Sequence, residues 1–322
     1  MTTTPAYKYL SAQLAERLRG LSLSVRRPVE GNLQGLHPSP HTGASVEFAD
    51  YREYSPGDPP NLIDWAVYAR SDRVMIRRFR EETNLRAYLC LDISESLRFQ
   101  DSGRMAKIEY ASFLAAGLMY ILVNQGDSAG LILFDRELKN TYAPTGTLEG
   151  LRPMLLGLES LTADDDVPTP TSAGFRLHPG RSRTSPRQIM QAGNIEHALH
   201  QAAEQIKARS LIILISDLLQ DPAEILRGIR HLHHNGHDLM ILHVLDATEL
   251  HFPLNGLTEL RELETGHKLV VDADDIRTSY RQAMERHLDT LRRGCQNCRA
   301  DYHLINTSQP MDELLFMRIA AR

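Results

Sequence analysis

The residues best suited to chemistry are Asp92, Ser94 and Ser96, in the run Leu91-Asp92-Ile93-Ser94-Glu95-Ser96. They follow an apolar tract, Ala87-Tyr88-Leu89-Cys90, that reads as a buried strand. Three oxygen-bearing side chains therefore leave a strand end at alternate positions. One carboxylate and two hydroxyls are hard donors, suited to Mg²⁺ or Mn²⁺ rather than zinc, and so small a set leaves coordination positions for another molecule. A second apolar tract, Leu211-Ile212-Ile213-Leu214-Ile215-Ser216-Asp217, also ends in a carboxylate. Parallel pairing of the two strands would set Asp217 beside Asp92. Asp and Ser are equally ordinary turn formers and helix caps, so the run gains meaning only from whatever brings Asp217 to it.

The elements that would do so alternate along the chain. A helix with Leu10, Leu14 and Leu18 on one face is expected over 5–20, docked on the body of the protein. Residues 28–62, rich in Gly, Pro, His and Ser, read as loops with short strands, and a strand follows at 74–79. From there the pattern predicts strands at 87–92, 128–134, 138–143, 211–216, 238–245 and 301–305. Helices are predicted at 104–124, 148–161, 194–208, 222–235, 273–294 and 310–321. Continuous apolar strands between helices imply an α/β fold: a mostly parallel sheet with helices on both faces. Its site lies beyond the carboxyl ends of the strands at the topological switch point, where Asp92 and Asp217 both sit. Residues 162–189 interrupt the pattern with Asp164-Asp165-Asp166 and a Pro/Thr-rich stretch, and read as a mobile surface insertion.

Bulk properties narrow the function classes. The 322 residues suffice for one large domain or two ordinary ones, and 42% hydrophobic with 24% charged residues is ordinary globular composition. A formal net charge of −5 argues against bulk attraction to nucleic acid or anionic lipid. The polar first twenty residues carry no signal-peptide pattern, and the most apolar stretch, 111–123, is too short to span a bilayer. Three cysteines make no disulfide framework in a chain of this length. The cytoplasm is the expected compartment.

Other chemistry-bearing residues carry plainer readings. Cys295-x-x-Cys298 lies late on a helix with no second Cys pair, and His231, His233, His234 and His237 fall at a helix end where cationic groups are favoured. The basic residues Arg70, Arg73, Arg77, Arg78 and Arg80 are followed at once by Glu81 and Glu82, which argues against a nucleic-acid patch. There is no P-loop and no Gly-x-Ser-x-Gly elbow.

Asp92-x-Ser94-x-Ser96, with a later strand ending in Asp217, resembles the metal-ion-dependent adhesion site of von Willebrand factor A domains over about 85–322. A further block matches a narrower group. It comprises Gly43 to Phe48, Arg52-x-Tyr54-x-x-Gly57-Asp58, Ile63-Asp64-Trp65, Ala69-Arg70 and Phe79-x-Glu81-Glu82, with Glu264-Thr265-Gly266 and Asp272 downstream. This pattern is similar to the domain of unknown function 58 (DUF 58) family. The resemblance implies a von Willebrand factor A-like domain at 85–322 preceded by a family-specific region at 1–84. It implies a metal set of Asp92, Ser94, Ser96 and Asp217. The family pattern places a threonine ligand where Gly193 stands here, with Asn194 the alternative oxygen donor, and Pro59 and Asn61 replace an acidic and a basic residue. In the upstream block Trp65 reads as a core anchor, and Arg52, Asp58, Asp64 and Arg70 as ion pairs that fix the segment with Tyr54 and Gly57.

The function so implied is a non-enzymatic adaptor, with Mg²⁺ or Mn²⁺ as cofactor. It would work with a MoxR-type AAA+ ATPase, the usual companion of the family, in maturing or remodelling protein complexes. A client's acidic side chain would complete the metal shell. Two alternatives stand beside it. One is a Mg²⁺-dependent phosphoryl-transfer or hydrolytic enzyme using Asp92, against which Ser94 stands where such phosphatases carry a second Asp. The other is a degenerate module that binds partners without metal.

Overall fold

Among the described residues of a computed structural model, the chain forms ten strands and eight α-helices. The structure describes residues 7–23, 46–55, 57–58, 60, 63–81, 85–101, 105–162, 195–261 and 268–310, with backbone alone at 46–50 and 77–81. Gly193, Asn194, Pro59, Asn61, Glu264 to Gly266, nearly all of the 162–189 insertion and the helix expected at 310–321 lie outside these residues.

The helix expected over 5–20 is shorter: α1 spans Ala12–Leu18, and Ser11 caps it by accepting the Leu14 N–H. The segment 28–62 contains a longer strand than expected, β1 (Val46–Glu53). It pairs antiparallel with β2 (Met75–Glu81), with the unanticipated helix α2 (Trp65–Ser71) between them in sequence. These elements belong to a compact unit of residues 27–84, whereas residues 1–26 group with 85–322 in the larger unit. The longer segment of the larger unit begins at Leu85, and α1 goes with that unit.

The larger unit continues with β3 (Arg86–Asp92), α3 (Lys107–Asn124), β4 (Ser128–Phe134), β5 (Leu138–Thr145), α4 (Arg152–Ser160) and α5 (Ile195–Gln205). Then come β6 (Leu211–Ser216), α6 (Pro222–His234), β7 (Asp238–Leu245), α7 (Ala247–His251), the hairpin β8 (Leu257–Arg261) and β9 (Lys268–Asp272), α8 (Ala273–Asn297) and β10 (Asp301–Asn306). Six strands form one sheet in the order β10-β7-β6-β3-β4-β5, parallel except for β5.

Alternate residues of each central strand enter opposite cores, because successive side chains of a strand point to opposite faces. Leu89, Leu91, Leu131, Ile213 and Ile215 pack with α1, α3 and α4. Cys90, Ile132, Ile212, Leu214 and Ile241 pack with α5, α6 and α8. Both faces are covered, so the strands need no polar side, and the fold is a mostly parallel α/β architecture. The chain runs outward from β3 through β4 and β5, then returns to the other side of β3 for β6. The switch point thus falls between β3 and β6.

Candidate functional site at the switch point

Parallel pairing sets Leu91 of β3 level with Ile215 of β6, so the next residues, Asp92 and Ser216, end the two strands side by side. Ser216 donates its hydroxyl to Asp92 Oδ2 at 2.6 Å and accepts the Leu218 N–H through the same oxygen at 3.1 Å. Asp92 Oδ1 accepts the Ser94 N–H at 2.9 Å, an Asx-type turn that swings the chain out of the sheet. Ser94 then precedes a 3₁₀ turn over Glu95–Arg98, and its hydroxyl lies 3.0 Å from that of Ser96. Asp92 and Asp217 are buried, while Ser94 and Ser96 are partly open. A cleft of about 510 Å³, lined by Ser94, Glu95, Asp135, Arg136, Lys139 and Gln220 among others, reaches the site at Ser94.

A third element closes the site from below. Lys107, the first residue of α3, is 1% exposed. Its Nζ lies 2.8 Å from Asp217 Oδ2 and 2.7 Å from Glu249 Oε1 on α7, with the Phe99 ring centroid 5.8 Å away. Glu249 is itself fixed, because its other oxygen accepts the Asp246 N–H at 2.8 Å in a capping box. Burial works against the Lys107 charge, but Asp217 and Glu249 outweigh it and hold the ammonium above its usual pKa. Burial likewise raises Glu249, opposed by Lys107. Asp92 is pushed up to about 7, first by burial and then by the charge of Asp217, against the hydrogen bonds from Ser216 and Ser94.

The chain leaves Asp217 through Leu218, which is buried and takes a left-handed φ of 47°, a conformation that costs a branched residue energy. His287 on α8 holds that bend with Nε2 2.8 Å from the Leu218 carbonyl. Opposite Ser216 in the register stands His243 of β7, whose Nδ1 lies 2.7 Å from the Tyr302 hydroxyl. Burial drives His243 down to about 3, so it is neutral at ordinary pH.

Asp92, Ser94, Ser96 and Asp217 lie at the carboxyl ends of the neighbouring strands β3 and β6. Lys107, Ser216 and Glu249 were not anticipated. Each lies in an otherwise ordinary helix start, strand end or short turn, and their only available signal was a lysine opening a strongly apolar helix. Asn194 lies outside the described residues.

The upstream motif residues lie in the other unit. Arg52 pairs with Asp58 at 2.9 Å, and Asp58 also accepts the Ser55 N–H. Tyr54 N–H donates to the Val74 carbonyl. Gly57 has φ of 111°, a conformation suited to glycine. Asp64 caps α2 by accepting the Ala66 and Val67 N–H groups and also accepts the Tyr51 hydroxyl. Arg70 donates to the Ala66 carbonyl. Trp65 is not a core anchor: it is 62% exposed and packs edge-on against Tyr68, because the first turn of a helix capped by Asp64 points it outward. Cys295 and Cys298 are buried free thiols, and burial pushes Cys295 up to about 12, so that pair is packing rather than reactive chemistry. His231 stacks on His200 with ring centroids 3.8 Å apart.

Hard oxygen donors at the site fit a divalent ion such as Mg²⁺ or Mn²⁺. The charge also fits. Asp217 and Glu249 share the Lys107 ammonium, whereas burial and the Asp217 charge hold the Asp92 carboxyl above its usual range. Among the described residues no group of three or more His, Cys, Asp or Glu is placed to hold a metal. The donors here are two carboxylates and two hydroxyls instead.

The fold is a mostly parallel α/β sheet with helices on both faces and a polar cluster at its switch point. The chain belongs to the family described as DUF58, protein of unknown function, whose model matches residues 50–290. Similar curated proteins are the uncharacterized proteins Rv1480 of Mycobacterium tuberculosis and Mb1516 of Mycobacterium bovis. Each is 25% identical over 298 residues, covering 92% of this chain and 86% of the relative. Similar solved structures include a conserved hypothetical protein BatB from Bacteroides thetaiotaomicron (18% identity, 69% of this chain and 91% of that chain, TM-score 0.42). Another is an aerotolerance-related membrane protein from Bacteroides fragilis (18% identity, 73% and 98% coverage, TM-score 0.42). In this chain no helix among the described residues is long and apolar enough to cross a membrane.

Proposed function

We propose that this protein is a non-enzymatic adaptor that recognises protein partners at the switch-point edge of its sheet, through Mg²⁺ or Mn²⁺ held by Asp92, Ser94, Ser96 and Asp217. The observation that carries this reading is the convergence of those side chains at adjacent strand ends beside an open cleft. The bound ion would supply a Lewis-acid position for a client's Asp or Glu. The protein's own residues do the rest: the Asx turn at Asp92 presents Ser94 and Ser96 outward, and Ser216 orients the Asp92 carboxylate. The family resemblance supports a MoxR-type AAA+ ATPase as partner, with the ATPase doing work and this chain supplying recognition in the maturation or remodelling of complexes, in the cytoplasm. A catalytic role for Asp92 has less support. Its Oδ2 is engaged by Ser216 and the residue two positions on is Ser94, so an acid to protonate a leaving group is wanting at that position.

Mg²⁺ or Mn²⁺ titration by calorimetry tests the reading. Saturable binding that disappears in Asp92→Ala is the expected result, together with ion-dependent capture of the cognate AAA+ ATPase with or without nucleotide. Capture that ignores chelator and the Asp92→Ala change would favour the metal-free module, the reading to which the internal Lys107 ammonium lends an observation. Phosphatase turnover lost in Asp92→Ala would overturn the adaptor reading altogether.

A further inference from the structure

Lys107 stands where an incoming ion would feel it most. Its ammonium touches Asp217, one of the two carboxylates of the candidate set, and cannot swing into solvent. The backbone fixes its origin, because the Lys107 N–H donates to the Phe99 carbonyl at 3.1 Å as α3 begins. The far side of the ammonium is held by Glu249, which the Asp246 N–H keeps from moving away. The ring of Phe99 lies beside it. A surface lysine trades partners freely with water; this one is locked between two fixed carboxylates.

We propose that Lys107 is the resident cation of the site, occupying Asp217 in competition with a divalent ion and thereby setting how tightly that ion binds. The proposal rests on the adaptor reading above for the ligand set. With Lys107 in place, an ion held by Asp92, Ser94 and Ser96 meets a carboxylate already neutralised and an ammonium of like sign behind it. With the ammonium gone, the whole charge of Asp217 faces the ion.

The test is Mn²⁺ added to the full chain, followed by calorimetry and by loss of the free-ion electron paramagnetic resonance signal. Lys107→Met is expected to bind at least roughly tenfold more tightly than the native chain, since a unit charge a few ångströms from the ion is removed. That variant leaves two buried carboxylates without their partner, which strongly destabilises proteins. The double variant Lys107→Met/Glu249→Gln, which removes one charge of each sign, therefore accompanies it and is expected to tighten binding in the same direction but by less, because Asp217 is freed while the Glu249 charge is lost. Native binding with unchanged or weaker binding in a folded variant overturns the role of Lys107 and leaves the adaptor reading standing. Binding by the variants but not by the native chain supports Lys107 as the occupant and overturns a native metal. Silence from the native chain and from every folded variant overturns both.

Discussion

Asp92 is the residue on which site chemistry and stability meet. Its carboxyl is raised from an ordinary 3.8 to about 7 by burial and the neighbouring Asp217 charge. A carboxyl with a raised folded-state pKa contributes stability that is fully present below the unfolded value and is lost as pH rises through the folded one. Asp92→Asn keeps an acceptor for the Ser94 N–H and can donate to Ser216, yet never ionises. In chelator, the variant should gain on the native chain between about pH 4 and 7, by something on the order of 3 kcal/mol. Urea denaturation at several pH values checks this, and a difference that stays flat across the window would refute the assignment. The cost of ionising Asp92 is also the drive for taking up a cation. Lys107 answers that need only for Asp217 and Glu249.

The strands carry the site because their register is over-determined. Apart from Asp92 and Ser216 at their ends, the buried side chains of β3, β4 and β6 are apolar on both faces, and parallel pairing with shared neighbours sets the ends. The pairing of β4 with β5 shows how tight this is. A Cβ on Gly130 would lie 2.9 Å from the Tyr142 carbonyl oxygen and 3.1 Å from Pro144. Gly130→Ala should therefore cost roughly 1–3 kcal/mol in chemical denaturation, whereas Gly20→Ala, which meets nothing within 4 Å, should be close to neutral. The strands at 128–134, 211–216 and 238–245 were legible to the residue, since a fully buried strand announces itself as an unbroken apolar run. The hairpin of β8 and β9 was not legible. Leu257, Leu269 and Val270 are exposed on it and charges alternate with them, so neither period dominates. Helix α2 was hidden for a similar reason: no residue of it is buried, and it begins on its Asp64 cap rather than on an apolar stripe.

At the scale of the whole molecule, the two segments of the larger unit that flank 27–84 in sequence meet at one turn. Leu23 exchanges hydrogen bonds with the Gln125 side chain, at 2.8 Å from its N–H and 3.2 Å to its carbonyl. Leu85 donates to Asp127 Oδ1 at 2.8 Å and accepts the Ser128 N–H at 2.9 Å. Gln125 and Asp127 are themselves hydrogen-bonded across Gly126, whose φ of 93° makes the tight turn. Insertions whose ends lie close together are well tolerated by their hosts. Replacing 27–84 with a short Gly/Ser linker should leave the larger unit folded, with a cooperative thermal transition. Starting the chain at Leu85 should be far worse. It strips away Tyr9, Leu10, Leu18 and Leu23, all buried in the core beside α3, at about 1.5–3 kcal/mol each. Equal melting temperatures for the two truncations would contradict the placement of α1.

The amino-acid pattern alone indicated the α/β class and the strands that lead to Asp92 and Asp217. These are consequences of local periodicity and of a short list of ways to cover a sheet. Only the tertiary structure decided what surrounds that site. Lys107, Asp217 and Glu249 are separated by 110 and 142 residues from the lysine, and no local rule couples a helix start to a strand end and a capping box at such distances. Trp65 turning outward and α1 joining the larger unit were likewise decided by packing. A sequence reports how apolar a residue is, whereas burial depends on which surfaces the fold leaves to cover it.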